Sequence, residues 1–248
     1  MPEVGPPSTP KLLLFGGGGA IGSAILQSAL SRDWDVVATT RNSRTDLYPA
    51  ETIRRRETWI TIDPFSADFS ASPLKSHGPY SAVCWAQGAN ANDSVYTVDA
   101  DQHLALYKAN CIYILATLKA LLGADALKRP ARLCVISSIW QNISRQDKLS
   151  YSMTKSALHG FLLSASTDLA TQGHLINAVL PGALDTPMTI TNLTRQQVEK
   201  ISTATRFNRL PKIEDVVSLV LFLCSAENTG ITGQFIAVDL GFSNVHLL

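Results

Sequence analysis

The chain has 248 residues, a formal net charge of +1, 46% hydrophobic side chains and 17% charged ones. Such a balance suits a globular protein with a sizeable core, and it supplies no field of either sign that would draw nucleic acid or an anionic membrane. The proline-rich opening, residues 1–10, has no basic n-region and no long apolar h-region, so it reads as a short disordered leader and not as a signal peptide. No uninterrupted apolar run approaches the ~18 residues of a membrane span. The cysteines Cys84, Cys111, Cys134 and Cys224 are far apart, and each sits in an apolar segment. They read as buried free thiols, with neither a disulfide framework nor a metal site, and a reduced, cytoplasmic setting is expected.

From residue 11 onward apolar bursts alternate with helical patterns. "KLLLFG" leads through glycines into "AIGSAILQSALSR", whose apolar residues recur at helical spacing. "DVVATT", "TWITID" and "YSAVCWAQG" are further short runs, followed by the long helical stretch "QHLALYKANCIYILATLKALLG". "ARLCVISS" precedes the helix "YSMTKSALHGFLLSASTDLATQG", then "LINAVLPG", the helix "IEDVVSLVLFLCS" and finally "QFIAVDLG". Short apolar strands without polar alternation indicate a parallel sheet covered on both faces. Helical crossovers then predict an α/β fold: a single-domain, Rossmann-type, doubly wound sheet of about seven strands over residues 11–248.

The first turn, "FGGGGAIG" (Phe15 to Gly22), lies between the first strand and the first helix. Glycines there let backbone N–H groups approach a phosphate, and the helix N-terminus adds positive partial charge. Further along, "YSMTK" places Tyr151 and Lys155 one helical turn apart. An ammonium near a phenol favours the phenolate. Taken singly, each feature is equally an ordinary turn or an ordinary helix face.

Together they resemble the short-chain dehydrogenase/reductase family. The loop is similar to that family's TGxxxGxG, with Phe15 where Thr is usual and Ala20 where Gly is usual. "YSMTK" resembles its YxxxK, Ser138 stands 13 residues before Tyr151, and Asn110 matches the Asn of the preceding long helix. "LPGALDTPM" resembles the PG-x-x-x-T segment, and Leu240 replaces a usual Gly in "ITGQFIAVDLG". "CWAQGA" stands where NNAG is usual, so Trp85 replaces an Asn that steadies the sheet, and Gln87 is a candidate to hold that strand end instead.

The resemblance implies an oxidoreductase acting on CH–OH or C=O groups. Tyr151 would be the acid or base, Lys155 would lower its pKa and hold ribose hydroxyls, Ser138 would orient the substrate oxygen, and Asn110 would hold a relay water. The cofactor site would comprise Gly16, Gly18, Gly19, Ala20, Ile21, Gly22, Arg41, Asp63, Ala86, Gly88, Pro181, Gly182, Thr186 and Met188, with Tyr151 and Lys155. Thr40 and Arg41 end the second strand where NAD-preferring members carry a carboxylate, so NADP(H) is expected over NAD, with Ser43 and Arg44 as further phosphate contacts.

Thr194 and Gln197 look like a capping box opening a lid helix. Met188, Ile190, Leu193 and Ile201 suggest a partly apolar substrate pocket, with no arginine cluster beyond Arg206 and Arg209. A ketone or 3-oxoacyl substrate is the family default. The expected assembly is a homotetramer or homodimer through the helices around Asn110 and Tyr151, with no nucleic-acid or membrane partner. The alternative is a non-catalytic dinucleotide-binding or redox-sensing member of the same fold, which need not keep the four catalytic residues. A nucleotide-sugar epimerase or dehydratase would want a larger C-terminal substrate domain.

Overall fold

The computed structural model describes residues 9–40, 56–186, 189 and 193–244. Its frame is a sheet of seven strands: β1 (Lys11–Phe15), β2 (Asp35–Thr40), β3 (Glu57–Thr61), β4 (Tyr80–Trp85), β5 (Leu127–Ile136), β6 (Leu175–Pro181) and β7 (Phe235–Val238). Their order is β3-β2-β1-β4-β5-β6-β7, and every pairing is parallel. The chain starts at the centre, winds out through β2 and β3, then returns to the other side of β1 and winds out through β7. That reversal between β1 and β4 opens a crevice at the strands' carboxyl ends, where open α/β sheets take their ligands. All seven predicted strands are present, and the doubly wound fold is the one expected.

Among the described residues the α-helices are α1 (Ala20–Ser31), α2 (Ser72–Ser76), α3 (Ala100–Tyr107), α4 (Tyr113–Gly123), α5 (Leu149–Leu169), α6 (Arg195–Thr203) and α7 (Ile213–Cys224). Alternate residues of each strand point to opposite faces, and this alternation divides the core in two. Leu12, Leu14, Val36, Ala82 and Cys84 pack with Ile25 and Leu26 of α1 and with Val216 and Val220 of α7. Leu13, Phe15, Val83, Trp85 and Leu133 pack with Tyr113 and Ile114 of α4 and Leu158 and Leu162 of α5. Both faces are covered, which is why the strands read as unbroken apolar runs.

The sequence pattern predicts one uninterrupted helix across Asn110. Between α3 and α4 the chain instead makes a π-helical turn, Lys108–Ile112. The extra residue re-aims the side chains of this turn, and Asn110 is buried within it. The continuous helix Ala100–Gly123 is, among the described residues, long and apolar enough to cross a bilayer by length and composition, with hydropathy 1.3. No single apolar run shows this, because Asp101, Lys108 and Lys119 interrupt it. A core helix passes the same test, and this one packs on the sheet through Tyr113, Ile114, Leu118 and Leu121.

Three cysteines that are remote in sequence converge. Cys84 and Cys134 are register partners on β4 and β5, and Cys224 bonds Cys134 from α7. All three are buried and free, while Cys111 is half-buried and donates to the Thr154 carbonyl. Thr194 and Gln197 form the predicted capping box at the start of α6. Leu240 has φ 56°, a left-handed conformation that suits the glycine expected there. The Asp239 carboxylate ties down this turn by accepting from the Gly241 and Ser243 N–H groups at 2.9 and 2.8 Å.

Candidate active site

The glycine loop joins β1 to α1. Gly16 has φ 78°, and a Cβ there would come within 2.5 Å of the Gln87 nitrogen. A Cβ on Gly22 would lie 2.1 Å from the Gly16 carbonyl oxygen. These two glycines therefore let the loop close on itself and on the exit of β4. Gly19 is the N-cap of α1 and supplies no side-chain cap, so the first-turn N–H groups stay available to a ligand.

The loop opens into a cleft of about 750 Å³, within the size range of small-molecule and cofactor sites. Of the residues predicted for the cofactor, Gly16, Gly18, Gly19, Ala20, Ile21, Asp63, Ala86, Gly88, Pro181, Gly182 and Thr186 line it. Gly22 does not; its place is the packing of the loop. Arg41 and Met188 lie outside the described residues, as do Ser43, Arg44 and Ile190. Thr40 lines the cleft at the end of β2, with no carboxylate beside it on the strand.

A dinucleotide fits what is present. The uncapped α1 N-terminus faces the cleft. So does Gln87, whose amide nitrogen and oxygen are both buried without a partner among the described residues. Orphaned buried amides are costly, and a ligand hydrogen bond would satisfy this one. Gln87 therefore does not hold the strand end through its side chain, contrary to the sequence expectation. Asp63 accepts from the Phe65 N–H at 3.0 Å through Oδ1 and lines the cleft.

The opposite wall is built by the end of β5 and the start of α5. Ser137 is used internally, donating to Gln141 Oε1 at 2.8 Å, while Ser138 caps a short 3₁₀ turn, Ile139–Gln141, by accepting from the Trp140 N–H. Tyr151 is half-buried beside Ser138. Loss of water raises its pKa, and the Ser138 hydroxyl, which bonds it, offsets part of the rise. Lys155 is 4% exposed, and its Nζ lies 5.6 Å from the centroid of the Tyr151 ring. The sequence predicts a phenol lowered by this ammonium; in the structure burial dominates and the net direction is upward. Lys155 itself is lowered to about 8 by burial, and it donates to the Ile136 carbonyl at 3.1 Å. A Cβ on Gly88 would stand 3.7 Å from Lys155 Nζ and 3.3 Å from Asn110 Oδ1, so the absent side chain at Gly88 leaves room for both groups.

Asn110 stands behind this wall and does not line the cleft. Its Oδ1 accepts from the Ala89 N–H at 2.8 Å, and its Nδ2 donates to the Ala89 carbonyl at 3.1 Å and to Thr154 Oγ1 at 3.0 Å. The side chain thus clamps the loop after β4 to α5, where the sequence predicts a water-holding role.

The two departures Phe15 and Trp85 explain each other. They are register partners on β1 and β4, and their rings stack at 5.7 Å with a 6° interplanar angle. Tyr113 meets Phe15 edge-on at 5.8 Å, and Trp85 Nε1 donates to Thr117 Oγ1 at 2.9 Å. An aromatic pair with one satisfied polar handle takes the place of a polar strand end.

Sequence reasoning passed over two cations of the cleft, Arg145 and Lys148. Lys148 precedes Tyr151 by three residues, and its Nζ lies 5.3 Å from that ring's centroid, so two ammonium groups flank the phenol ring. Lys148 donates to Asn90 Oδ1 and Asn92 Oδ1, each at 2.6 Å, and to the Ala91 carbonyl at 3.0 Å. Burial lowers it to about 8. The signal was available as two basic residues between Ser138 and Tyr151. Arg206 and Arg209, considered from the sequence, do not line the cleft, and Arg209 pairs with Asp215 at 3.5 Å. Among the described residues no group of three His, Cys, Asp or Glu side chains could hold a metal.

Comparison with known proteins agrees with this architecture. The family model described as enoyl-(acyl carrier protein) reductase matches residues 74–243. An uncharacterized oxidoreductase of Bacillus subtilis, YmfI, is 27% identical over 240 residues, covering 93% of this chain and 97% of its own. An L-rhamnose 1-dehydrogenase (NADP(+)) of Thermoplasma acidophilum is 28% identical over 182 residues, 72% of each chain. In fold, the crystal structure of a short chain dehydrogenase family protein from Francisella tularensis superposes with a TM-score of 0.82 at 19% identity, covering 95% of this chain and 99% of that one. With its parallel seven-stranded sheet, glycine turn and these matches, the chain belongs to the short-chain dehydrogenase/reductase family, oxidoreductases that bind NAD(P) and act on CH–OH and C=O groups.

Proposed function

We propose that this protein is an NADP(H)-dependent carbonyl reductase or secondary alcohol dehydrogenase whose catalytic groups are Tyr151, Ser138 and Lys155, with Asn110 as a positioning residue. The observation that carries the reading is one wall of one cleft: the Ser138 and Tyr151 hydroxyls lie side by side, with the Lys155 ammonium buried next to the phenol. A non-catalytic dinucleotide-binding member could use Lys155 to hold the ribose, but it would have no use for the Ser138 and Tyr151 hydroxyls paired beside it.

The cofactor, when bound, supplies the hydride, and the protein supplies position and proton. Ser138 donates to the substrate oxygen and holds it. Tyr151, kept protonated by burial, gives its proton to that oxygen as the carbon is reduced; in the reverse direction it takes the proton from the alcohol. Lys155 stabilises negative charge on the phenol after transfer and bonds the ribose hydroxyls. Asn110 holds Ala89, and with it the Gly88 passage, in register with α5. Gly16, Gly18, Gly19, Ala20 and Ile21 present the pyrophosphate with backbone N–H groups, while Asp63, Ala86, Gly88, Pro181, Gly182 and Thr186 line the rest. The preference for NADP(H) rests on Thr40 without a carboxylate, on Arg41 following it, and on an NADP-named relative.

The reading also takes residues 11–248 as one catalytic unit in a cytoplasmic homotetramer or homodimer. Leu104, Ile112 and Leu115 on one helical stretch and Met153 and Leu163 on α5 are exposed large apolar side chains that a two-fold partner would cover. The test is a panel of ketones, acyl thioesters and sugars with NADPH and NADH. Tyr151→Phe should lose about 10²–10⁴-fold in turnover on any accepted substrate while cofactor affinity barely moves. Near-normal turnover in that variant refutes the assignment, and equal efficiency with NADH refutes the cofactor preference.

A further inference from the structure

Among the described residues four cations line the cleft, Lys108, Arg145, Lys148 and Lys155, against the single carboxylate of Asp63. Three of them have their partners. Lys108 lies over the Phe65 ring at 4.3 Å. Lys148 spends its three protons on Asn90, Ala91 and Asn92, and Lys155 donates to the Ile136 carbonyl. Arg145 is different. Its Nη1 donates to the carbonyl of its own neighbour, Gln146, at 3.0 Å, and its Nε is buried with no partner among the described residues. No carboxylate lies within ion-pair distance of it among the described residues; Asp147, exposed, reaches it only through its longer-range field, which favours the charge. Burial already disfavours its charge.

The place of Arg145 is as telling as its lack of partners. It belongs to the segment between Ser138 and Tyr151, on the wall opposite the glycine loop, so it serves what lies beyond the nicotinamide end and not the pyrophosphate. Trp140 supports it: the guanidinium carbon is 5.9 Å from that ring, and Trp140 in turn meets Phe242 edge-on at 6.4 Å. A planar cation on an aromatic surface, partly desolvated and short of acceptors, is an arrangement suited to a planar anion.

We infer that the compound reduced in this cleft is an oxo acid, its carboxylate held by Arg145 and its carbonyl by Ser138 and Tyr151. This rests on the Ser138–Tyr151 reading above and deepens it by naming the substrate class. A carboxylate needs only the guanidinium fork. A phosphate would want further donors, and the first two N–H groups of α5 are already taken: the Leu149 N–H goes to the Asp93 carbonyl and the Ser150 N–H to the Asp93 carboxylate. Hydrogen bonds to a charged group carry about ten- to hundredfold in affinity, and that is the contribution assigned to Arg145.

The test uses a series of oxo acids with one to four carbons between carbonyl and carboxylate, each beside its methyl ester. Reduction is followed by NADPH absorbance, and binding to the enzyme–NADPH complex by calorimetry. The unmodified protein should favour at least one acid over its ester by about tenfold or more in kcat/KM. Arg145→Met should bring that acid-to-ester ratio near one, chiefly through KM, with an unchanged melting temperature and NADPH affinity. Arg145→Lys should restore part of the ratio. Equal efficiencies for acids and esters in the unmodified protein overturn the inference, as does a phosphorylated oxo compound that outcompetes every acid. If neither acids nor esters turn over, the catalytic reading has failed, and calorimetry still decides this one: acids binding no tighter than esters refute it.

Discussion

Replacing Trp85 with the asparagine usual at this position in the family should nearly unfold the protein. The site is fully buried, and Trp85 is among the largest side chains wholly inside. Truncating a buried Trp typically costs about 3–5 kcal/mol, counting transfer and cavity together. The lost stack on Phe15 adds roughly 0.5–1.5 kcal/mol. The new amide faces the Phe15 ring and the apolar side chains of the cluster, and an unsatisfied buried polar group costs about 1–3 kcal/mol more. Thr117 stays satisfied, because its hydroxyl also donates to the Tyr113 carbonyl at 2.7 Å. The sum, about 4.5–9.5 kcal/mol, rivals the roughly 5–15 kcal/mol by which such domains are stable at all. Urea unfolding followed by circular dichroism measures it. Trp85→Phe, which keeps a stacked ring and loses only the Nε1 bond and some volume, should cost about 1–3 kcal/mol and remain folded. If Trp85→Asn lowers stability by less than about 1 kcal/mol, the aromatic pair is not what secures this strand end.

Three further outcomes follow from the geometry. Gly22→Ala puts a methyl 2.1 Å from the Gly16 carbonyl, so the loop must shift; NADPH affinity by fluorescence titration should fall by at least about tenfold, and an unchanged affinity would refute the close-approach argument. Lys155 is lowered to about 8, so activity that needs its charge should decline as pH rises through that value, and Lys155→Met should be slow and lack this limb. Its unfolded counterpart keeps a proton to about pH 10.4, so between those values the folded state binds fewer protons and this group makes folding more favourable as pH rises; the lost rate is not unfolding, and a profile flat to pH 10 would refute the assignment. Light scattering should show a dimer or tetramer at micromolar concentration, and Leu115→Asp with Met153→Asp should dissociate it; a monomeric unmodified protein removes the proposal.

The strands were legible because burial on both sides leaves unbroken apolar runs, and the glycine turn because Gly16 and Gly22 have no substitutes at such close approach. The nature of Asn110's work was not legible. A π-helical turn has no sequence signature, and only its geometry shows the amide bonded to Ala89 on both sides. Phe15 and Trp85 looked like two separate departures because residues 70 apart in sequence reveal no register. Arg145 and Lys148 were visible as basic residues, but what separates a saturated ammonium from an under-bonded guanidinium is the set of neighbours each one finds after folding.

The fastening of the loop after β4 has a consequence for how the cleft admits a molecule. Residues 89–93 are held one after another: Ala89 by Asn110, Asn90, Ala91 and Asn92 by Lys148, and Asp93 by the first N–H groups of α5. Loop and α5 therefore travel as one rigid piece, and the Tyr151 hydroxyl keeps its place whether or not substrate is there. Any widening of the cleft must therefore come from walls other than this one. Substitutions at Asn90 or Asn92, far from any reacting atom, should then register as changes in turnover, because they loosen the mount of Tyr151 and not the doorway.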